Sequence, residues 1–374
     1  MFRQILKGFD YLLMLLVIVI FAIGMVTIAS ATGYDLYGIT REVKFQFIGF
    51  LIGIIFMMVL LFIDYKFWGY LHWVIYAASL GLLLILYIPG VGVVRGGAMS
   101  WIDLGVFDFQ TSEISKLGYI LFLSKFIEKK GGINSFLDAL IAGSTSLPLI
   151  YLLLKQPDLG TALVFVFITI GILFAGGIKY WHMLLVGSLF AVTAPIFYNK
   201  LGQYQKDRLL AFVSQDDLTL PGNYHVLMSK ISIGSGGYTG KGLFAGEFHR
   251  LNYLPVKESD FIFAVFVEEW GYYGGMLLIS LFVLLLLRLL YIAVNVKDMF
   301  ASNIVVGVLF LFGFQILENI GMTMGAMPVT GLTLPFFSAG PTSLVSSLLA
   351  VGLVHSCNIY RVQKKTSVEF EKVY

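Results

Sequence analysis

Ten apolar runs divide the chain, each bounded by charges, glycine or proline: Tyr11–Ala31, Phe47–Ile63, Phe67–Ile88, Ile114–Phe126, Phe136–Leu154, Leu159–Gly177, Trp181–Tyr198, Phe261–Tyr291, Ala301–Met324 and Ser338–Tyr360. A hydrocarbon layer about 30 Å thick is crossed by roughly 20 apolar residues in a helix. The pattern therefore predicts an all-α polytopic membrane protein of about ten transmembrane helices, with residues 1–374 forming a single integral membrane domain. Only 13% of the residues are charged, against about 25% in soluble domains. The first run ends in Ala29-Ser30-Ala31, which imitates a signal-peptidase site. It is longer than a signal-peptide core of about 7–15 residues, so it reads as an uncleaved first helix.

An even number of spans puts both termini on one side. The short segments of that side hold Arg3, Lys7, Lys66, Lys125, Lys129, Lys130, Lys179, Arg288, Lys297 and the basic C-terminal residues, whereas the opposite short loops hold Arg41, Lys44, Arg95 and Lys155. The positive-inside rule places both termini in the cytoplasm. The long segment 199–260, between the seventh and eighth spans, is then a large extracytoplasmic loop. Loops of this length in compact bundles usually carry function.

A net charge of +3 with no basic tract argues against nucleic acid as a partner. Cys357 has no thiol to pair with, and His72, His182, His225, His249 and His355 show no metal-ligand spacing. The stretch Gly234-Ser235-Gly236-Gly237-Tyr238-Thr239-Gly240-Lys241-Gly242 fails the phosphate-loop pattern at both ends and lacks a flanking strand and helix, so it reads as a tightly turned loop.

Ionisable residues inside a bilayer cost about 2.5–3.5 kcal/mol each at mid-helix and mark functional candidates. Glu113 and Lys116, three apart at the start of the fourth span, can pair. On the ten-span topology these two, Asp158 and Asp260 all fall at extracytoplasmic helix ends, which describes a polar pocket opening outward. Glu268 and Glu269 lie about two turns into the eighth helix and point about 100° apart, so one of them is expected to be internal. Gln315, Glu318 and Asn319 form a polar stripe that reads as interhelical glue, and the Ser343, Ser346, Ser347 face reads as close packing.

Several stretches together resemble the SEDS family of bacterial shape, elongation, division and sporulation proteins (RodA, FtsW and SpoVE types). They are Trp101-Ile102-Asp103-Leu104-Gly105 leading to Gln110-Thr111-Ser112-Glu113-Ile114-Ser115-Lys116-Leu117; Gln156-Pro157-Asp158-Leu159-Gly160-Thr161-Ala162; Ile233-Gly234-Ser235-Gly236-Gly237; Leu254-Pro255 through Ser259-Asp260-Phe261-Ile262-Phe263-Ala264-Val265 and Glu268-Glu269; Asn319-Ile320-Gly321-Met322; and Pro328-Val329-Thr330-Gly331 with Leu334-Pro335-Phe336. The chain departs from the family pattern at Ser100, Thr111, Val256 and Glu258, and in the run after Ser338.

The resemblance implies a peptidoglycan glycosyltransferase that polymerises lipid II at the outer face of the cytoplasmic membrane. It implies partnership with a class B penicillin-binding transpeptidase and other membrane proteins of the elongation or division complex. Lipid II is a disaccharide-pentapeptide on a polyprenyl pyrophosphate, so its site needs apolar walls and a polar mouth. Asp260 is the expected base, taking the proton from the acceptor hydroxyl, with inversion at the anomeric carbon. Lys116, Glu113, Asp158, Arg208, Lys241, Arg250 and Lys257 are candidates for substrate binding. Glu268, Glu269, Gln315, Glu318, Asn319 and Ser338 are candidates for supporting roles. A divalent cation, Mg or Mn, bound with the pyrophosphate is compatible with this chemistry, and no organic cofactor is expected. A lipid II flippase is the alternative, with a non-catalytic scaffold as a third reading.

Overall fold

The computed structural model describes residues 8–33, 38–95, 97–103, 105, 108–182, 184–185, 187–188, 202–251, 253–254 and 256–371, with 204, 249–250 and 361–371 described by backbone alone. Helices occupy nine of the ten predicted runs; the seventh, Trp181–Tyr198, lies largely outside the described residues. In chain order they are α1 (Tyr11–Ala31), α2 (Arg41–Leu61), α3 (Tyr65–Tyr70), α4 (His72–Leu84), α5 (Thr111–Lys129), α6 (Phe136–Ser144), α7 (Leu147–Lys155), α8 (Leu159–Ala175), α9 (Gln203–Val213), α10 (Asn223–Ser235), α11 (Glu247–Arg250), α12 (Ile262–Asn295), α13 (Met299–Thr323) and α14 (Pro341–Glu371). Among the described residues, six stretches are long and apolar enough to cross a membrane: α1, α2, α6 with α7, α12, α13 and residues Pro341–Tyr360 of α14. This is a membrane protein.

Two features add to the helical bundle expected from the sequence. Residues between α4 and α5 form a small antiparallel sheet in the order β1 (Gly92–Arg95), β2 (Ala98–Asp103) and β3 (Asp108–Gln110). It is tied to the bundle where Thr342 on α14 donates to the Asp108 carbonyl at 2.9 Å. The large loop holds three helices, and α10 leads directly into the glycine stretch, which therefore does have a flanking helix.

Helix α13 is the centre of the bundle, packed against α5, α8, α12 and α14. Its core comes from residues such as Ile304, Val308 and Phe312, all fully buried. Glycine sets the closest approaches: a Cβ on Gly307 would lie 2.8 Å from Ile120 of α5, and one on Gly24 would lie 2.7 Å from the Phe337 carbonyl oxygen. Small residues let helices approach in the membrane, where packing drives association.

The eighth span is not one continuous helix. Gly271 breaks α12 with φ 67° and ψ −168°, a conformation open to glycine. The segment before the break, from Ile262 to Glu269, is buried on every side. The longer segment after it runs beside α1, and its Arg288 reaches the Asp10 carboxylate at 2.9 and 3.0 Å near the far end of α1.

Candidate active site

Asp260 immediately precedes the buried half of α12. The chain turns through Val256, whose φ is 52°, and its carbonyl receives the Asp260 N–H at 3.1 Å. The stretch 258–260 is pinned to 334–340: Ser338 Oγ donates to the Ser259 carbonyl at 2.7 Å, Leu334 N donates to Ser338 Oγ at 2.9 Å, and Ala339 N donates to the Glu258 carbonyl at 2.9 Å. Ser338 is thus the hub of this contact. Gln46 of α2 closes the same corner, donating to the Ser338 carbonyl and accepting from Gly340 N, both at 2.9 Å.

The Asp260 side chain accepts one hydrogen bond, from Ser259 Oγ at 2.9 Å. It stays partly open to solvent while protein crowds the rest of it. Burial pushes its pKa up to about 6, with Glu258 adding in the same direction; the Ser259 hydroxyl and the charge of Arg208 act the other way. A carboxylate poised there is ionised at neutral pH and basic enough to accept a proton.

Asn319 and Glu318 of α13 stand behind Asp260. Asn319 Nδ2 donates to the Asp260 carbonyl at 3.0 Å and to the Leu332 carbonyl at 2.8 Å. Glu318 is buried and accepts from Thr330 Oγ1. Thr330 also receives Arg208 Nη1 on its carbonyl at 3.4 Å, and a Cβ on Gly331 would lie 3.3 Å from Asp260 Oδ2. Asp260, Arg208, Glu318 and Asn319, from three separate parts of the sequence, therefore meet around Thr330-Gly331. Gln315 is buried one turn earlier on α13.

The other candidates occupy bonded groups of their own. Glu113 and Lys116 pair at 2.8 Å, nearly sealed from solvent, with Ser346 of α14 donating to the Glu113 carbonyl at 3.0 Å. Asp158 caps α8, accepting from Thr161 N at 3.0 Å, and takes a second hydrogen bond from Ser100 Oγ at 3.0 Å. Gly160 then packs against Thr330, where an added Cβ would lie 2.8 Å away, so this cap abuts the Asp260 group. Lys257, half-buried three residues before the base, has its pKa lowered mainly by burial. The Arg250 side chain lies outside the described residues.

Glu268 and Glu269 require a correction, because both are internal. The expectation treated them as residues on an uninterrupted helix, but the break at Gly271 puts them at the end of the short buried segment, wrapped by the glycine loop. Glu268 accepts from Ser232 Oγ at 3.0 Å, Lys241 Nζ at 3.0 Å, and the backbone N–H of Glu247 and Phe248 at 2.7 and 3.2 Å. Glu269 accepts from Ser30, in the last turn of α1, and from Phe244 N at 3.1 Å. The two point different ways, as the helix geometry requires, and each finds a separate wall. Lys241 is thus engaged with Glu268 and Glu247. The loop approaches so closely that a Cβ on Gly240 would lie 2.0 Å from the Glu269 carbonyl oxygen.

Sequence reasoning missed Thr330 and Gly331 as neighbours of the base, although their motif had been singled out. It also missed Ser30, which sits in an apolar run. The departure at Ser100 has a local explanation, since that hydroxyl bonds Asp158.

A bundle of broken and continuous apolar helices around a poised carboxylate defines a class: polytopic membrane proteins with an internal polar site. The sequence profile of the FtsW/RodA/SpoVE family, described as a cell cycle protein, matches residues 10–363, and the chain belongs to that family. It is 33% identical over 359 residues to stage V sporulation protein E of Bacillus subtilis, covering 94% of this chain and 97% of that protein. It is 31% identical over 361 residues to the peptidoglycan glycosyltransferase MrdB of Escherichia coli K12, covering 96% of each. Among solved structures, the rod shape determining protein RodA of Thermus thermophilus matches with a TM-score of 0.71 at 31% identity, over 94% of this chain and 97% of that one. A chain of a peptidoglycan synthase complex, described as coordinating polymerization and crosslinking, matches with a TM-score of 0.82 at 32% identity, over 95% of this chain and 99% of that one.

Proposed function

We propose that this protein is a peptidoglycan glycosyltransferase that polymerises lipid II, with Asp260 as its base, at the outer face of a bacterial cytoplasmic membrane and with both termini in the cytoplasm. The observation that carries the reading is the geometry of Asp260: among the described residues its side chain accepts one hydrogen bond, from a serine hydroxyl, and it stays partly open to solvent, while the burial of the rest raises its pKa. The names of the relatives supply the reaction class. The acceptor sugar's 4-hydroxyl attacks the anomeric carbon of the donor as Asp260 takes its proton. The new glycosidic bond forms as the bond to phosphate breaks, and its electron pair leaves on undecaprenyl pyrophosphate. A single displacement inverts the anomeric centre, and no second carboxylate flanking the bond is needed.

Arg208, whose charge acts on Asp260, and Lys257, three residues before it, are assigned to the leaving pyrophosphate. Lys241, Glu113, Lys116 and Asp158 are assigned to shaping the site, because their charges are met within the protein. No group of three or more metal-ligating side chains stands together among the described residues. The Asp260–Glu318 neighbourhood also includes the charge of Arg208, which disfavours a bound cation there. No step is assigned to a metal held by the protein alone; Mg or Mn would accompany the pyrophosphate.

The placement of Glu268 and Glu269 level with the last turn of α1 supports polymerase over flippase, since transporter sites gather near the bilayer midplane. The partner proposed is a class B penicillin-binding transpeptidase, consistent with the matched synthase complex. The test gives purified protein, alone and with a cognate transpeptidase whose active serine is blocked, labelled lipid II with and without divalent metal. Glycan strands from the wild type and none from Asp260→Asn are expected. Lipid II scrambling in liposomes without polymer would put the flippase first, and no activity of either kind would leave the scaffold.

A further inference from the structure

We infer that the groove between α1 and the long segment of α12, at the Asp10 end, is a binding site for an anionic phospholipid of the adjacent leaflet. On the topology proposed above, that leaflet is the cytoplasmic one. Leu284, Leu287, Arg288 and Tyr291 recur at helical spacing on α12 and face Leu12 and Leu16 of α1 across a groove of about 230 Å³. Its walls are hydrocarbon apart from the Tyr291 ring and the guanidinium at one end. Over the seven residues from Leu284 to Tyr291 the helix rises about 10 Å, so an extended acyl chain can lie along it.

Arg288 makes the site more than a generic lipid-facing crevice. Its Nε donates to both oxygens of Asp10, at 3.0 and 2.9 Å, and its guanidinium lies 4.8 Å from the centre of the Tyr291 ring. These contacts fix the plane of the fork. The two terminal nitrogens have no hydrogen-bond partner among the described residues, and 29% of the side chain remains exposed. A planar fork held on one edge and open on the other matches phosphate geometry. Asp10 cannot be the rival ligand for that open edge, because it is buried on the opposite side and its Oδ1 also caps α1 through Leu13 N at 2.9 Å.

Charge complementarity selects a lipid over a partner helix. An apolar transmembrane helix seated in the groove would leave the guanidinium donors unmet, whereas a phosphodiester joined to an acyl chain satisfies both halves of the site. The sequence adds Arg3 and Lys7 within ten residues of Leu12. Basic residues close to the cytoplasmic surface attract anionic lipid.

The test compares the full-length protein in detergent supplemented with dioleoyl phosphatidylglycerol or dioleoyl phosphatidylcholine, by thermal unfolding and by native mass spectrometry. Wild type is expected to gain about 3 °C or more from phosphatidylglycerol beyond the phosphatidylcholine effect and to retain one phosphatidylglycerol. Leu287→Trp and Leu12→Trp, which fill the groove from opposite walls without touching the Asp10–Arg288 pair, are expected to lose that excess and weaken retention at least tenfold. Leu277→Trp, on the exposed surface of α12 outside the groove, is expected to behave as wild type. Equal stabilisation by the two lipids, or undiminished retention in both groove variants, would overturn the proposal and leave an ordinary annular lipid. Exclusion of lipid by the chain's own N-terminal residues would appear as retention only after their removal, and would also overturn it.

Discussion

Asp10 and Asp260 are both aspartates at the start of apolar helices, and each has an arginine nearby, yet they end in opposite states. Asp10 is buried and accepts from Leu13 N and twice from Arg288 Nε. Among the described residues the Asp260 side chain accepts only from Ser259, and Arg208 reaches it through its field. Arg208 instead donates to the Thr330 carbonyl. A carboxylate whose lone pairs are met by fixed donors serves as a joint; one left with an open oxygen and a raised pKa can serve as a base. The difference lies in who holds the arginine.

The largest effect expected from this contrast is on turnover. Asp260→Asn should lower glycan synthesis by about 10²–10⁴-fold, measured as polymer from labelled lipid II. Because the folded state raises this carboxyl's pKa above its unfolded value, the ionised form opposes folding at neutral pH. The same variant should therefore unfold no earlier than wild type, and later by about 1 kcal/mol after allowance for its solvent exposure. Asp10→Asn should do the reverse. It should cost about 2–4 kcal/mol, read as a lower melting temperature, by leaving Arg288 unpaired and weakening the α1 cap, with the folded fraction still active.

Third, activity of the wild type should fall as pH drops through about 6, where Asp260 gains its proton. Arg208→Gln should move that acid limb to higher pH, since a cation that favours the ionised form is gone, and should lower the rate at pH 6 by roughly 3–10-fold. An unmoved limb would detach Arg208 from the base. The smallest change is expected from Ser259→Ala, which removes the hydroxyl that favours ionised Asp260. Its limb should shift upward, with the rate at pH 8 nearly intact, so that the loss is confined to the acid side.

Much of this was legible in the sequence. Hydrophobic run length located nine helices among the described residues, because a span must be apolar along its whole length. The spacing of Glu113 and Lys116 foretold their pairing, since residues three apart share a helix face. Asp260 stood out as an acidic residue at a span's edge. The environment of Asp260 was not legible. Thr330 and Gly331 reach it from a non-helical stretch after α13, and no periodicity encodes where such a stretch folds back. The break at Gly271 was hidden because glycine within an apolar run is common in membrane helices and only its φ shows which one bends the chain. Both glutamates are internal because α1, α10 and the glycine loop enclose the helix end before that break.

The order of residues along the chain gives the glutamate clamp a meaning for biogenesis. Ser30, Ser232, Lys241, Phe244, Glu247 and Phe248, which receive Glu268 and Glu269, all precede them in the sequence. When these two carboxylates leave the ribosome, every partner shown here has already been synthesised, so two acidic groups enter the membrane with their destination made. The base matures differently: Asn319, Thr330, Gly331 and Ser338 are translated after Asp260. The scaffold that bears Asp260 is fastened first, and the proposed catalytic centre is completed only by α13 and the stretch that follows it, so a nascent chain stalled before them is expected to be anchored but inert.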